Sequence, residues 1–188
     1  MEERGTKRLT EEICRSLYQQ YGTPEHVIRH CRAVSMVAVT LGEQLNAHGY
    51  TLNIPLIRGA GLIHDVARLS EDHGAVGAKI LEGLGYYEEA AIVRVHMTYD
   101  FHDFSQLDET DLVCLADRLV KEDHYVGLDE RIDYILHKAP KEAEIQNLIL
   151  QKKEETRRFM EAIETTIGRT IDSLFQRADN TEEERLKR

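Results

Sequence analysis

Residues 53–68 read NIPLIRGAGLIHDVAR and show how this chain builds its helices. Asn53 can supply an N-cap oxygen, and Pro55 stands in the first turn, where its missing N–H costs nothing. Leu56, Ala60 and Ile63 recur at helical spacing and predict one buried face. A polar pair at positions 64 and 65 follows in the last turn, although apolar residues flank it on both sides.

The same helical signals recur along the chain, whereas alternating apolar runs bounded by hairpin turns are missing. A first helix is expected from Thr10 to about Gly22, and the next opens with Thr23 as N-cap followed by Pro24. We therefore predict an all-α fold. The remaining helices are expected to begin near His73, Tyr87 and Asp108, at Asp129 as a cap, and after Pro140.

The spacing of these helices predicts one domain with an extension. An N-terminal helix covers 1–23, a core covers 24–140, and a C-terminal helical extension covers 141–180. The apolar stripe of that extension runs as far as Leu174 and is interrupted by a charged run from Gln151 to Arg158. It predicts either packing on the core or a homodimer seam. The charged residues 181–188 are expected to form a frayed tail.

Composition narrows the classes of function. The 188 residues carry a formal charge of −10, which argues against general nucleic-acid binding, because that relies on clustered Lys and Arg. No stretch approaches the roughly 20 apolar residues of a membrane span, so no membrane partner is expected. The three scattered cysteines suit a reducing compartment, and the expected location is cytoplasmic.

Several polar residues are predicted to lie at apolar helix faces. They are His30 on the second helix, the pair His64-Asp65 at the end of the third, and Asp117 on a later one. Burying an unpaired carboxylate costs roughly several kcal/mol of free energy, so pairing or metal coordination is favoured. Imidazole nitrogens and carboxylate oxygens suit divalent iron, manganese or zinc, and neighbouring helices can bring them to one ion.

This ordered set resembles the HD superfamily of metal-dependent phosphohydrolases, whose signature is a separated His, a tandem His-Asp and a distant Asp. The likeness covers roughly 24–140 and implies an HD-type helical bundle with a long C-terminal helix. His73 and His96 are similar to the extra ligands of two-metal members, in which Asp65 would bridge the ions. The nearest likeness is to bacterial HD enzymes that split diadenosine tetraphosphate symmetrically and to small HD proteins without an assigned role.

Two departures qualify the resemblance. Arg68 stands where many two-metal members have lysine, and the chain lacks the paired histidine and Gly-Tyr-Pro motif of cyclic-dinucleotide phosphodiesterases. A cyclic-dinucleotide substrate is therefore not expected. The resemblance implies one or two divalent transition metals, with Fe or Mn favoured and Mg, Ni, Co or Zn allowed.

The implied reaction is hydrolysis by a metal-activated water, with Asp65 among the catalytic residues. Arg68 would hold a substrate phosphate, and Asp72 would handle protons. His102 and Tyr99, in the aperiodic loop, are candidate substrate contacts. Each has a plainer interpretation: Arg68 as a solvated helix end, the loop residues as surface or packing groups.

The predicted function is hydrolysis of a phosphoester or phosphoanhydride in a nucleotide or another small phosphorylated substrate. Two alternatives stay open. One is an HD domain that senses a nucleotide without turnover, and the other is a di-iron oxygenase, since the same ligand pattern occurs in HD-type enzymes that activate dioxygen.

Overall fold

A computed structural model describes residues 7–175, so the predicted charged tail lies outside the described residues. Within that range the protein is all-α apart from a two-stranded hairpin, and the prediction of fold class is confirmed. The elements are α1 (Glu11–Tyr21), α2 (Glu25–Ala47), α3 (Ile54–Ile63), α4 (His73–Gly83), α5 (Tyr87–Val95), a 3₁₀ turn (Phe104–Gln106), α6 (Glu109–Asp117), β1 (Val120–Lys121), β2 (His124–Tyr125), α7 (Gly127–Lys138), α8 (Ala143–Ile167) and α9 (Asp172–Phe175).

Helix starts follow local capping chemistry. The side chains of Thr10, Asn53 and Asp108 each accept a hydrogen bond from a backbone N–H in the first turn of the helix that follows. Thr23 is an exception, because Pro24 is the N-cap of α2 and the Thr23 hydroxyl instead donates to the carbonyl of Val66 at 2.7 Å. That bond ties the start of α2 to the segment after α3.

The pair α2 and α3 forms the centre of the fold. Gly61 lets the two helices approach closely, since a Cβ at this position would lie 2.7 Å from the Cα of Ser35. Apolar residues of both helices enter two packed clusters, one shared with α6 and α8 and the other shared with α1, α4 and α5. The segment that carries residues 64 and 65 therefore leaves α3 from inside the core.

The α6–α7 connection is a short antiparallel hairpin that the sequence does not predict. Val120 pairs with Tyr125, and the turn contains Glu122 at a positive φ of 54°. The carbonyl of Leu119 accepts from the backbone of 126 and 127, which closes the hairpin and starts α7. Asp129 is therefore not the cap of α7. It lies in the first turn and pairs with cations of α8.

The C-terminal helix is shorter than its apolar stripe suggests. α8 ends at Ile167, where Gly168 takes the left-handed conformation, and a separate turn carries Ile171 into the core at 0% exposure. Ile145 and Leu148 are exposed. The second half of α8 packs on the core, as Ile167 shows, whereas a dimer seam stays a prediction. Across 7–175, no helix combines the length and apolar character needed to cross a membrane.

Candidate metal centre

Five helices bring the six predicted ligands together. His30 lies within α2, and Asp117 is the last residue of α6. The other four stand at helix boundaries: His64 and Asp65 directly follow α3, while the remaining two, His73 and His96, begin α4 and follow α5. The six form two sets of three, and in each set the potential ligand atoms lie within 4.8 Å of one another.

The first set, here called the α2–α6 triad, contains His30, His64 and Asp117. The Oδ1 atom of Asp117 lies 2.9 Å from His30 Nε2 and 3.8 Å from His64 Nε2. Donor atoms that share one ion at about 2.1 Å are separated by about 3.0–3.4 Å in octahedral or tetrahedral arrangements. The spacing therefore fits one small divalent ion after minor adjustment.

The second set, the α4–α5 triad, contains Asp65, His73 and His96. The Oδ1 atom of Asp65 is 3.1 Å from His73 Nε2 and 3.5 Å from His96 Nε2. Its other oxygen, Oδ2, lies 3.9 Å from His64 Nε2, a member of the first triad. Asp65 thus lies close to histidines of both triads.

Backbone carbonyls orient three of the imidazoles. The Nδ1 atoms of His30, His64 and His96 lie 2.7–2.9 Å from the carbonyl oxygens of Glu122, Gly61 and Val93 in that order. A carbonyl can only accept, so Nδ1 carries the proton and Nε2 presents its lone pair to the triads. Such outer hydrogen bonds are the usual way in which proteins fix a metal-binding histidine.

Burial and charge act in opposite directions on the imidazoles. Burial lowers the pKa of His64 and of His73 below the ordinary value of 6.5. Burial also disfavours the charged form of His30 and His96, but contacts with Asp117 and Asp65 respectively outweigh it and raise the pKa of both.

The pKa values of both carboxyl groups in the triads are lowered. Burial alone would raise the pKa of Asp65, but the charge of His64 and the contact with His96 lower it from 3.8 to about 2. For Asp117 burial is likewise outweighed, here by the hydrogen bond with His30, and its pKa falls well below the usual range. Both carboxyls are therefore ionised at neutral pH.

The polar atoms of the triads lack enough partners of their own. His64 Nε2 and Asp65 Oδ1 are buried and make no hydrogen bond within residues 7–175. His30 Nε2 lies 2.9 Å from the Asp117 carboxylate, while His30 Nδ1 already donates its proton to the carbonyl of Glu122. The Nε2 lone pair and the carboxylate oxygen would repel each other, so a proton or a cation is needed between them. A divalent cation with nitrogen and oxygen ligands would satisfy all these atoms, and the residues present fit it.

The predicted catalytic residues Arg68 and Asp72 lie in different surroundings. The guanidinium of Arg68 donates to His73 Nε2 at 3.0 Å and lies 3.7 Å from Asp65, so it stands beside the α4–α5 triad. A metal ion at this triad would compete with it for the same nitrogen lone pair. Asp72 is exposed and caps α4 by accepting from Ala75 N at 3.3 Å, which gives its carboxylate a structural role.

The predicted substrate contacts Tyr99 and His102 lie against a buried carboxylate instead of the triads. The Tyr99 hydroxyl donates to Asp111 at 2.9 Å, and the backbone N–H of His102 donates to the same carboxylate at 3.1 Å. Asp111 also accepts from the backbone of Asp108 in the capping box of α6. The spacing of His102, Asp108 and Asp111 could hold an ion, but hydrogen bonds already satisfy Asp111.

A cavity of about 760 Å³ opens onto both triads, and its walls contain cations that the sequence analysis does not single out. Arg118 is held by the carbonyl of Tyr99, by Thr156 at 3.2 Å and by the ring of Phe101 at 4.6 Å. Arg131 and Lys138 of α7 share its wall with Tyr134. Arg131 and Lys138 are seven residues apart and therefore lie on one helix face, and this spacing is the sequence feature from which they could have been found. The Arg and Lys residues of the wall are Arg29, Arg68, Arg118, Arg131 and Lys138.

Comparisons with known proteins identify relatives of part of this chain. An uncharacterised protein of Methanocaldococcus jannaschii is 40% identical over 72 residues, which are 37% of this chain and 43% of that protein. The tRNA (cytidine(56)-2'-O)-methyltransferase of Thermoplasma volcanium is 31% identical over 91 residues, 46% of this chain and 25% of that protein. The chain therefore spans less than half the length of these curated relatives.

No solved structure matches the chain significantly. The HD domain family matches residues 27–122, about half of the chain, and this range contains all six residues of the two triads. The chain belongs to the HD domain family.

Proposed function

We propose that this protein is a metal-dependent phosphohydrolase that cleaves a phosphoester or phosphoanhydride in a small phosphorylated substrate, with nucleotides as the favoured class. The observation that carries the proposal is the pair of adjoining triads, in which His64 Nε2 and Asp65 Oδ1 are buried and have no hydrogen-bond partner among the described residues. HD domains are usually metal-dependent phosphohydrolases, which supports the same reaction class.

The two triads would hold one divalent ion each. Such ions, when bound, lower the pKa of coordinated water and neutralise charge on phosphoryl oxygens. The protein supplies orientation: carbonyls fix three imidazoles, and Asp65 contacts members of both triads. Iron and manganese are the ions we favour, because mixed imidazole and carboxylate sites accept both; magnesium, nickel, cobalt or zinc can also bind nitrogen and oxygen ligands, and cellular availability helps decide among them.

Arg68 is the residue proposed to contact the scissile phosphoryl group. It lines the cavity, its side chain is about half exposed, and its guanidinium already lies beside Asp65 and His73. A planar guanidinium offers paired donors that match phosphate oxygens. In this role it would hold the substrate and offset the negative charge of the nearby carboxylate.

The test is metal analysis joined to a substrate panel. Protein freed of metal with a chelator is reloaded with Mn²⁺, Fe²⁺ or Mg²⁺, and phosphate or nucleotide release is measured from nucleoside mono-, di- and triphosphates and from dinucleoside polyphosphates. We expect metal-stimulated release that His64→Ala or Asp65→Ala abolishes. His137→Ala is the matched control, because His137 is exposed on α7 and belongs to neither triad.

The other readings of the site give different results in the same experiment. Thermal stabilisation by a nucleotide without product would favour a sensing domain, and oxygen consumption by the reduced-iron sample would favour an oxygenase. One metal per chain would restrict the centre to a single triad. A protein that retains no metal and releases no phosphate would contradict the proposal.

A further inference from the structure

The helix α7 forms part of the cavity wall through residues on one face. Arg131, Tyr134, Ile135 and Lys138 all line the cavity, at spacings of three, four and seven residues. This helix begins after residue 122, the last position matched by the HD domain family. α7 therefore adds cavity-lining residues that lie outside the range matched by the family.

Two of these side chains are cations without a carboxylate partner. The Nε–H group of Arg131 is buried and donates no hydrogen bond within 7–175, and neither Arg131 nor Lys138 has a carboxylate within 4.0 Å in that range. Three other cations nearby have polar partners: Arg29 lies 3.0 Å from Asp123, Lys121 forms an ion pair with Glu130, and Arg118 donates to Thr156 and to the carbonyl of Tyr99. In a chain with a formal charge of −10, unpaired cations in a cavity wall require a reason.

The ring of Tyr134 holds these cations in place. Lys138 Nζ lies 4.3 Å and the Arg131 guanidinium 5.7 Å from the ring centre, and Lys138 also contacts the Tyr134 hydroxyl. Lys121 lies 5.2 Å from the same centre. Cations over an aromatic ring are attracted by its π face, and here they occupy the surface on which a nucleobase would stack. The chemistry of this face suits an anion better than a base.

We propose that Arg131 and Lys138, held by Tyr134, form a subsite for a second phosphate group of the substrate. The inference rests on the proposed function, in which the triads and Arg68 receive the phosphoryl group that is cleaved. Guanidinium and ammonium groups bind phosphate through charge-assisted hydrogen bonds, and here Arg131 is partly buried while Lys138 is exposed at the cavity wall. The preferred substrate class is therefore a small molecule with at least two phosphate groups, such as a nucleoside di- or polyphosphate, rather than a monophosphate.

The test uses probes that the enzyme cannot cleave. Methylphosphonate carries one phosphonate, and methylene-, propylene- and pentylene-diphosphonate carry two at increasing separation, all without P–O–P or P–O–C bonds. Their dissociation constants for the Mn²⁺-loaded protein are measured by calorimetry. We expect at least one diphosphonate to bind roughly 10-fold or more tightly than methylphosphonate, the gain typical of one added charge-assisted contact.

Variants show whether α7 causes this preference. Arg131→Gln and Lys138→Gln should each reduce the diphosphonate advantage by roughly 10-fold while leaving methylphosphonate affinity unchanged. Arg158→Gln and Lys79→Gln are matched controls, because both residues are exposed and lie outside the cavity lining. Thermal melting of each variant establishes that it is folded before binding is compared.

The subsite is refuted if no diphosphonate binds better than methylphosphonate, or if the advantage survives in both α7 variants. These results are separable from the hydrolase test. Metal-stimulated phosphate release without a diphosphonate advantage overturns the subsite alone. An advantage that depends on α7, in a protein without phosphate release, supports the subsite and counts against the hydrolase proposal.

Discussion

Asp65→Asn separates the electrostatic role of this residue from its shape. The carboxylate lies 3.1 Å from His73 Nε2 and 3.5 Å from His96 Nε2, and its pKa is lowered to about 2 from 3.8. Asparagine has nearly the same size but imitates the neutral, protonated carboxyl. The substitution should therefore remove the stabilisation that ionised Asp65 gives the folded, metal-free protein.

The size of the effect follows from the pKa and varies with pH. A fall from 3.8 to about 2 corresponds to about 2 kcal/mol of folding free energy. Because the folded pKa of Asp65 is the lower one, this stabilisation is present above 3.8 and disappears as the pH falls towards 2. The pKa of His96 is raised, so its contribution is present below 6.5 and is lost as the pH rises through its folded pKa. The loss in the variant should be largest near pH 5.

Urea unfolding of chelator-treated protein between pH 2 and pH 8 measures this difference. Asp133→Asn is the control, since Asp133 is exposed on α7 and forms no ion pair within the described residues. With saturating Mn²⁺ the deficit of Asp65→Asn should grow, because an ion that binds only the folded protein stabilises it further. An asparagine variant at least as stable as the wild type at pH 5 would show that the carboxylate is strained without metal, and the reasoning would fail.

Two further predictions concern the packing that supports the site. Gly61→Ala should destabilise the protein by about 1–3 kcal/mol in urea unfolding, because the new Cβ would meet the backbone of Ser35 at 2.7 Å. Gly83→Ala, with open space around its Cβ position, should instead stabilise it by roughly 0.5–1 kcal/mol, and equal effects of the two would contradict the close approach. Tyr99→Phe should cost about 1–3 kcal/mol by removing a hydrogen bond to buried Asp111, with KM unchanged. A raised KM at unaltered stability would instead support Tyr99 as a substrate contact.

Helix starts were predictable where the determining interaction is local. Thr10, Asn53 and Asp108 cap helices by accepting from N–H groups two or three residues ahead, so the sequence pattern contains both partners. Thr23 carries the same signal, but its hydroxyl is taken by the carbonyl of Val66, 43 residues away. The apolar stripe through Leu174 likewise predicted a longer helix than is present, because Gly168 ends α8 before the stripe ends.

Four of the metal-ligand candidates, His30, His64, Asp65 and Asp117, could be selected from sequence because imidazoles and carboxylates at apolar helix faces need partners. His73 and His96 were added by the resemblance to two-metal HD proteins. The spacing of the six candidates does not reveal that His64 joins His30 while adjacent Asp65 joins His73 and His96. That division depends on where α3 ends relative to four other helices. The sequence also does not reveal that the Tyr99 hydroxyl donates to Asp111, and the role of Tyr99 as a substrate contact stays a prediction.

By itself, then, the amino-acid sequence determined the all-α class, most helix starts and the chemical types available for a metal site, because each depends on residues within a few positions of one another. Tertiary structure alone decided the two triads, the carbonyls that orient the imidazoles and the cationic wall of α7. The Nδ1 atom of His30 meets the carbonyl of Glu122 only because the β1–β2 hairpin returns to α2. Contacts across some 90 residues of chain arise from packing, and no local pattern encodes them.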